Sequence, residues 1–188
     1  MLYREILEKF NTGDVILFRS NTLFDQFVDL FVERNYTDGG IIIKNPTNYK
    51  EGLYILRTIG YDTQTNNFDI ILQDFKVVYD SIDGEHMYWR KLNCVRDHNF
   101  YNRLYTMFSV LVSKSNNNVE IHWILDQYNA HRDKCIENND WCCVCVYVFV
   151  SLALLPIYFD WSMGCPEMFN KGCLSLEGAI LDKEIQII

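Results

Sequence analysis

The residue in this chain best suited to covalent chemistry is Cys142, in the run "NNDWCCVCVYVF". Asn138, Asn139 and Asp140 offer helix caps, which places Cys142 in the first turn of an apolar helix over about 141–154. Unsatisfied N–H groups and the helix dipole stabilise a thiolate there and lower its pKa. Cys143 and Cys145 share that helix but point about 100° and 300° away. The bland alternative is that all three are small core residues, since free cysteine is among the most buried types.

A thiol nucleophile needs a base, normally histidine, and a group to orient it. The four histidines are His86, His98, His122 and His131. His86 opens a strand after "DGE" and His98 caps a helix, while His122 and His131 fall in a helical stretch over 119–131. None stands beside a glycine turn in a way that marks it as the base. The other polar residue in a suggestive setting is Asp38, in "NYTDGGIIIK", where two glycines lead into a β-branched strand.

The elements that must position these residues read in order along the chain. Residues 1 to 10 form an amphipathic helix with Leu2, Ile6, Leu7 and Phe10 on one face. "TGDVILFRS" turns into a strand, and "SNTLFDQFVDLFVER" is a helix with Ser20, Asn21 and Thr22 as caps. Strands follow at 41–44, in "GLYILRTIG", in "FDIILQDF" with a local helix, and in "HMYWRKLN", with "YDTQTNN" as a turn. A helix through Phe100, Leu104, Met107, Phe108 and Leu111 covers 97–113, "KSNNN" is a loop, and "KEIQII" closes as a strand. The order implies an α+β fold, an antiparallel sheet packed on a buried central helix, as a single domain over 1–188.

Several segments then resemble the NlpC/P60 superfamily, with its circularly permuted papain-like fold, in the branch of bacterial YiiX-type proteins and relatives in poxviruses and other large DNA viruses. "TGDVILFRS" is similar to the family's opening Gly-Asp-apolar strand, and "TDGGIII" to its Thr/Ser-His-x-Gly-Ile strand. "LYILRTIG" resembles the strand that carries the orienting residue, and "FDIILQDF" the segment before the mid-chain strand. "DWCCVCVYVFVSLALL" resembles the helix of the nucleophile, and "CPEMF" the Pro-x-x-Phe/Leu element after it.

Carried over by position, the resemblance makes Cys142 the nucleophile. It puts Asp38 where the family has histidine, and Arg57 (or Thr58 beside it) in the orienting place. Aspartate is a weak base near neutral pH and cannot shuttle a proton as imidazole does. The implied protein is a degenerate cysteine hydrolase, a binding or structural module in a virion or host cytoplasm, with peptide, amide or lipid ligands. The alternative is an active cysteine amidase, peptidase or acyltransferase using His122 or His131 as a displaced base. A further expectation is that Asp38 and Arg57 pair on neighbouring strands and fill the slot of the missing base.

Composition narrows the classes. The 188 residues are 49% apolar and 15% aromatic, which fits a folded domain with a real core. A net charge of −8 with scattered Lys and Arg excludes the basic stripe of a nucleic-acid binder and the basic cluster of an anionic-lipid surface. The N-terminus reads as an amphipathic helix and not a signal peptide, so the seven cysteines are expected to be reduced. Their odd number and lack of paired CxxC spacing imply neither a disulfide framework nor a metal site, and no cofactor motif is present. "CCVCVYVFVSLALLPIYF", 142–159, is uncharged and near spanning length. Pro156 and the acidic flanks Asp140 and Asp160 favour a buried helix over a membrane span.

Overall fold

The computed structural model describes residues 3–19, 36, 38–62, 67–82, 86–114, 145, 148–155 and 175–188. Outside them fall the expected helix 20–34, most of the "YDTQTNN" turn, His122, His131, the "NND" caps, Cys142, Cys143 and "CPEMF". The side chains of Thr58, Phe108 and Leu111 are outside them as well.

Helix α1 (Tyr3–Lys9) precedes β1 (Val15–Arg19), β2 (Asp38–Lys44), β3 (Leu53–Asp62) and β4 (Asn67–Asp74). Helix α2 (Phe75–Ser81), β5 (His86–Arg90), β6 (Leu92–Cys94) and α3 (His98–Lys114) follow, then β7 (Ala179–Leu181) and β8 (Ile185–Gln186). Six strands form one antiparallel sheet in the order β4-β3-β2-β1-β5-β8, and β6 and β7 pair separately. The expected α+β class and antiparallel sheet are present. β3 and β4 pair from Tyr54↔Asp74 out to Asp62↔Asn67, so both strands run further into "YDTQTNN" than the sequence implies.

The sheet is covered on both faces. One face packs Ile16, Phe18, Ile42, Ile55, Met87 and Trp89 against Ile6 and Phe10 near α1 and Phe75 and Val78 of α2. Phe10 lies over Trp89 at 4.6 Å between ring centroids. The other packs Val15, Leu17, Ile41, Ile43, Leu56 and Tyr88 against Phe100, Leu104 and Met107 of α3. Cys145, Val148, Phe149 and Leu152 join this second face at the i, i+3, i+4, i+7 spacing of one helical stripe. Double coverage explains why the strands read as unbroken apolar runs and not as alternating ones.

The helical segment at 148–151 ends in a Schellman-type turn. Leu154 N–H bonds to Phe149 C=O at 2.8 Å and Ala153 N–H to Val150 C=O at 2.9 Å, with Ala153 at φ 54°. Arg103 of α3 donates to Leu152 C=O at 3.2 Å, a cation placed at the negative helix end. Among the described residues, no helix is long and apolar enough to cross a membrane.

Two helix starts are capped by aspartate. Asp74 accepts from Lys76 N–H at 2.8 Å, and Asp97 accepts from Phe100 N–H at 2.9 Å. Asp97 is therefore the cap of α3, and His98 is its first helical residue, which corrects the reading of His98 as the cap. A carboxylate can accept the free N–H groups of a first turn more readily than a ring set inside that turn.

Candidate functional site

Gly40 is what lets β2 and β3 carry polar side chains close together. A Cβ there would stand 2.6 Å from Leu56 C=O, 2.8 Å from Ile55 Cγ1 and 3.0 Å from Arg57 Cβ. Glycine is the residue that permits this approach without a shift of β3. Two residues before it on the same strand face is Asp38, opposite Phe18 of β1.

Asp38 and Arg57 meet as the sequence implies. Arg57 Nη1 lies 3.4 Å from Asp38 Oδ2, with the side chains 22% and 32% exposed respectively. The other carboxylate oxygen, Asp38 Oδ1, accepts from Gly39 N–H at 2.7 Å. Both oxygens of Asp38 are thus engaged. The Arg57 guanidinium also sits 5.8 Å from the centroid of the Phe18 ring, within range of a cation–π contact. Its Nε is buried without a hydrogen-bond partner, as is Oε1 of Gln73 on β4. Gln73 is opposite Ile55 and Arg57 opposite Ile71, so both polar groups share one sheet face.

That face is the one covered by α1 and α2. Directly opposed residues of an antiparallel pair share a face, and Phe18 belongs to the core of the α1–α2 side. Cys145 belongs to the core of the opposite side. The sheet therefore stands between the Asp38–Arg57 pair and Cys145. Cys142 itself lies outside the described residues, so the structure joins two of the three expected site residues.

The two described cysteines make poor nucleophiles. Cys145 is fully buried in the core. Cys94 is half-buried, and burial pushes its thiol pKa up, with Arg96 only partly offsetting it. His86 opens β5 and its Nδ1 lies 3.1 Å from Gln186 Nε2, a tie between neighbouring strands.

Sequence reading missed the role of Asp14, a carboxylate just before β1 with partners on both oxygens. It is fully buried, and Oδ2 accepts from Trp89 Nε1 at 2.9 Å and Asn11 N–H at 3.1 Å. Oδ1 accepts from Leu92 N–H at 3.0 Å and faces Arg96 Nη2 at 3.4 Å. Burial raises its pKa, and the hydrogen bonds and Arg96 pull it partly back. Asp14 fastens β1 to β5, β6 and the turn after α1. Its signal was the Gly13-Asp14 turn, where Gly13 takes φ 95° and its missing Cβ makes room for Leu92.

A second missed pair is Tyr36 and Glu184. The buried Tyr36 hydroxyl donates to Glu184 Oε2, and its ring meets Tyr88 edge-on at 5.8 Å. Tyr36 lies in the core on the Cys145 side. Residues 148 positions apart give no local sequence signal of such a contact.

Comparison of the chain with protein-family models, with curated proteins and with solved structures finds no match.

Proposed function

We propose that this chain is a papain-like, thiol-hydrolase-type domain that has lost turnover and works as a binding or structural module for a peptide, amide or lipid group. The observation that carries the reading is the state of Asp38. Its carboxylate is occupied by the Gly39 amide and by Arg57, and so is not a free base. A carboxylate held by a guanidinium has little tendency to take a proton from a thiol near neutral pH. The sheet also stands between Asp38 and Cys145, so Asp38 is not placed beside that thiol.

The test is the reactivity of Cys142 toward iodoacetamide at about pH 6, where an unperturbed thiol of pKa about 8.5 is almost entirely protonated. The expected result is slow labelling, no faster than a small-molecule thiol, and no hydrolysis of ester or amide substrates. Rapid stoichiometric labelling that a substrate mimic blocks would overturn the reading in favour of a live enzyme with a displaced histidine. Asp38→His is expected to fold and to remain inert. Turnover appearing in that variant would show that position 38 does reach the thiol.

A further inference from the structure

We propose that Arg57 and Gln73 form a binding site for a neutral primary carboxamide, with Arg57 donating to its carbonyl and Gln73 accepting from its NH2 group.

Arg57 Nε and Gln73 Oε1 are both buried and both without a hydrogen-bond partner, so they are not bonded to each other. One is a donor and the other an acceptor. They stand diagonally across β3 and β4 on one sheet face, since Arg57 is opposite Ile71 and Gln73 lies two residues beyond Ile71. A buried polar atom costs free energy until it is met, and such a pair on one face points to a group that meets both. The place is within reach of solvent. The Arg57 side chain is 22% exposed, and Ile71 and Gln73 are half-buried, which puts the cluster at the rim of the face that α1 and α2 cover. Both atoms are carried on side chains with several rotatable bonds, so a rotamer change brings them to an entering group.

Charge selects that group. Arg57 Nη1 stands 3.4 Å from Asp38 Oδ2, longer than the roughly 2.7–2.9 Å of a charge-assisted hydrogen bond. The carboxylate therefore balances the guanidinium charge and leaves Nε for another acceptor. An anionic ligand would be repelled by Asp38, and a cationic one by Arg57. A primary carboxamide is neutral and carries an acceptor and a donor side by side. Such a site gives the binding role proposed above its ligand and rests on that role, but none of its contacts involves Cys142. Rapid labelling of Cys142 would overturn the loss of turnover and leave amide binding as it stands, whereas a failure to bind amide leaves the thiol result untouched.

The test is titration of the isotope-labelled full-length chain with propionamide, read by NMR on the Arg57 Nε–H and Gln73 NH2 signals. Saturable shifts of both are expected, with a dissociation constant on the order of 10 mM for so small a ligand. N,N-dimethylpropionamide has no N–H, propionate is charged, and propanol lacks the carbonyl. Each is expected to bind about tenfold more weakly, the worth of about one hydrogen bond. Arg57→Lys keeps a charge beside Asp38 and Gln73→Leu keeps the bulk, and each is expected to weaken propionamide binding about tenfold.

The proposal fails if neither signal moves by about 100 mM propionamide, or if propionate, propanol or the dimethyl amide binds as tightly. A hydrogen bond detected from Arg57 Nε–H to Gln73 Oε1 overturns it as well, since the two atoms then satisfy each other. If either variant loses its folded spectrum, the comparison of the four ligands on the wild-type chain decides.

Discussion

Asp14→Asn tests whether one buried carboxylate organises the sheet around the candidate site. The carboxylate meets four donors, two on each oxygen: Asn11 N–H and Trp89 Nε1 on one, Leu92 N–H and Arg96 Nη2 on the other. An asparagine offers one oxygen and one NH2 group, so in either orientation the NH2 group faces two other donors. With its oxygen toward Asn11 and Trp89, the Leu92 amide loses its acceptor, and Arg96 Nη2 keeps only Leu92 C=O at 2.8 Å. With the oxygen reversed, Asn11 N–H and the Trp89 indole lose theirs. Each buried donor left unmet costs about 1–3 kcal/mol, and relief of the buried charge offsets part of the sum. A net loss of about 2–4 kcal/mol is expected, a large share of a total stability of about 5–15 kcal/mol.

The assays for this variant are urea denaturation and thermal melting, with a fall in Tm on the order of 10 °C. The pH dependence gives a second reading. Burial holds the Asp14 pKa above its ordinary 3.8, so across that window the folded state binds the proton more tightly than the unfolded chain. The contribution of Asp14 to stability is therefore full below 3.8 and falls as pH rises to the raised value. The asparagine variant lacks this slope. The gap between wild type and variant is thus expected to narrow from acid toward neutral pH. A variant within about 0.5 kcal/mol of wild type at every pH would refute the four-donor account.

Two further substitutions probe the frame on either side of the sheet. Gly40→Ala forces a Cβ to 2.6 Å from Leu56 C=O and 3.0 Å from Arg57 Cβ, and is expected to cost about 1–3 kcal/mol in urea denaturation. A melt unchanged from wild type would mean that β2 and β3 are not in this close approach. Ala153→Gly places glycine at the φ 54° position that closes the helical segment, and is expected to raise stability by about 0.5–1 kcal/mol. A drop in Tm would mean that Ala153 does not take the left-handed conformation.

What the sequence disclosed, and what it withheld, follows from how local each signal is. The Asp38–Arg57 pair was legible because both residues sit at set positions on strands that turn and breaker residues delimit. Neighbouring strands in sequence are then neighbours in the sheet. The strand β7 and the Tyr36–Glu184 contact were not legible, because a three-residue strand and a pair 148 positions apart leave no periodic trace. Sheet faces were harder still. "HMYWR" places Met87 and Trp89 in one core and Tyr88 in the other, all apolar, so the pattern names two faces without saying which elements cover them. That missing information bears directly on the candidate site. Strand position alone sets Asp38 opposite a catalytic cysteine by likeness to a family, whereas the register through Phe18 turns it toward α1 and α2, away from Cys145. A carboxylate so placed and so bonded serves as one half of an ion pair that closes the end of a sheet face, and that is the stronger reason to expect Asp38→His to remain inert.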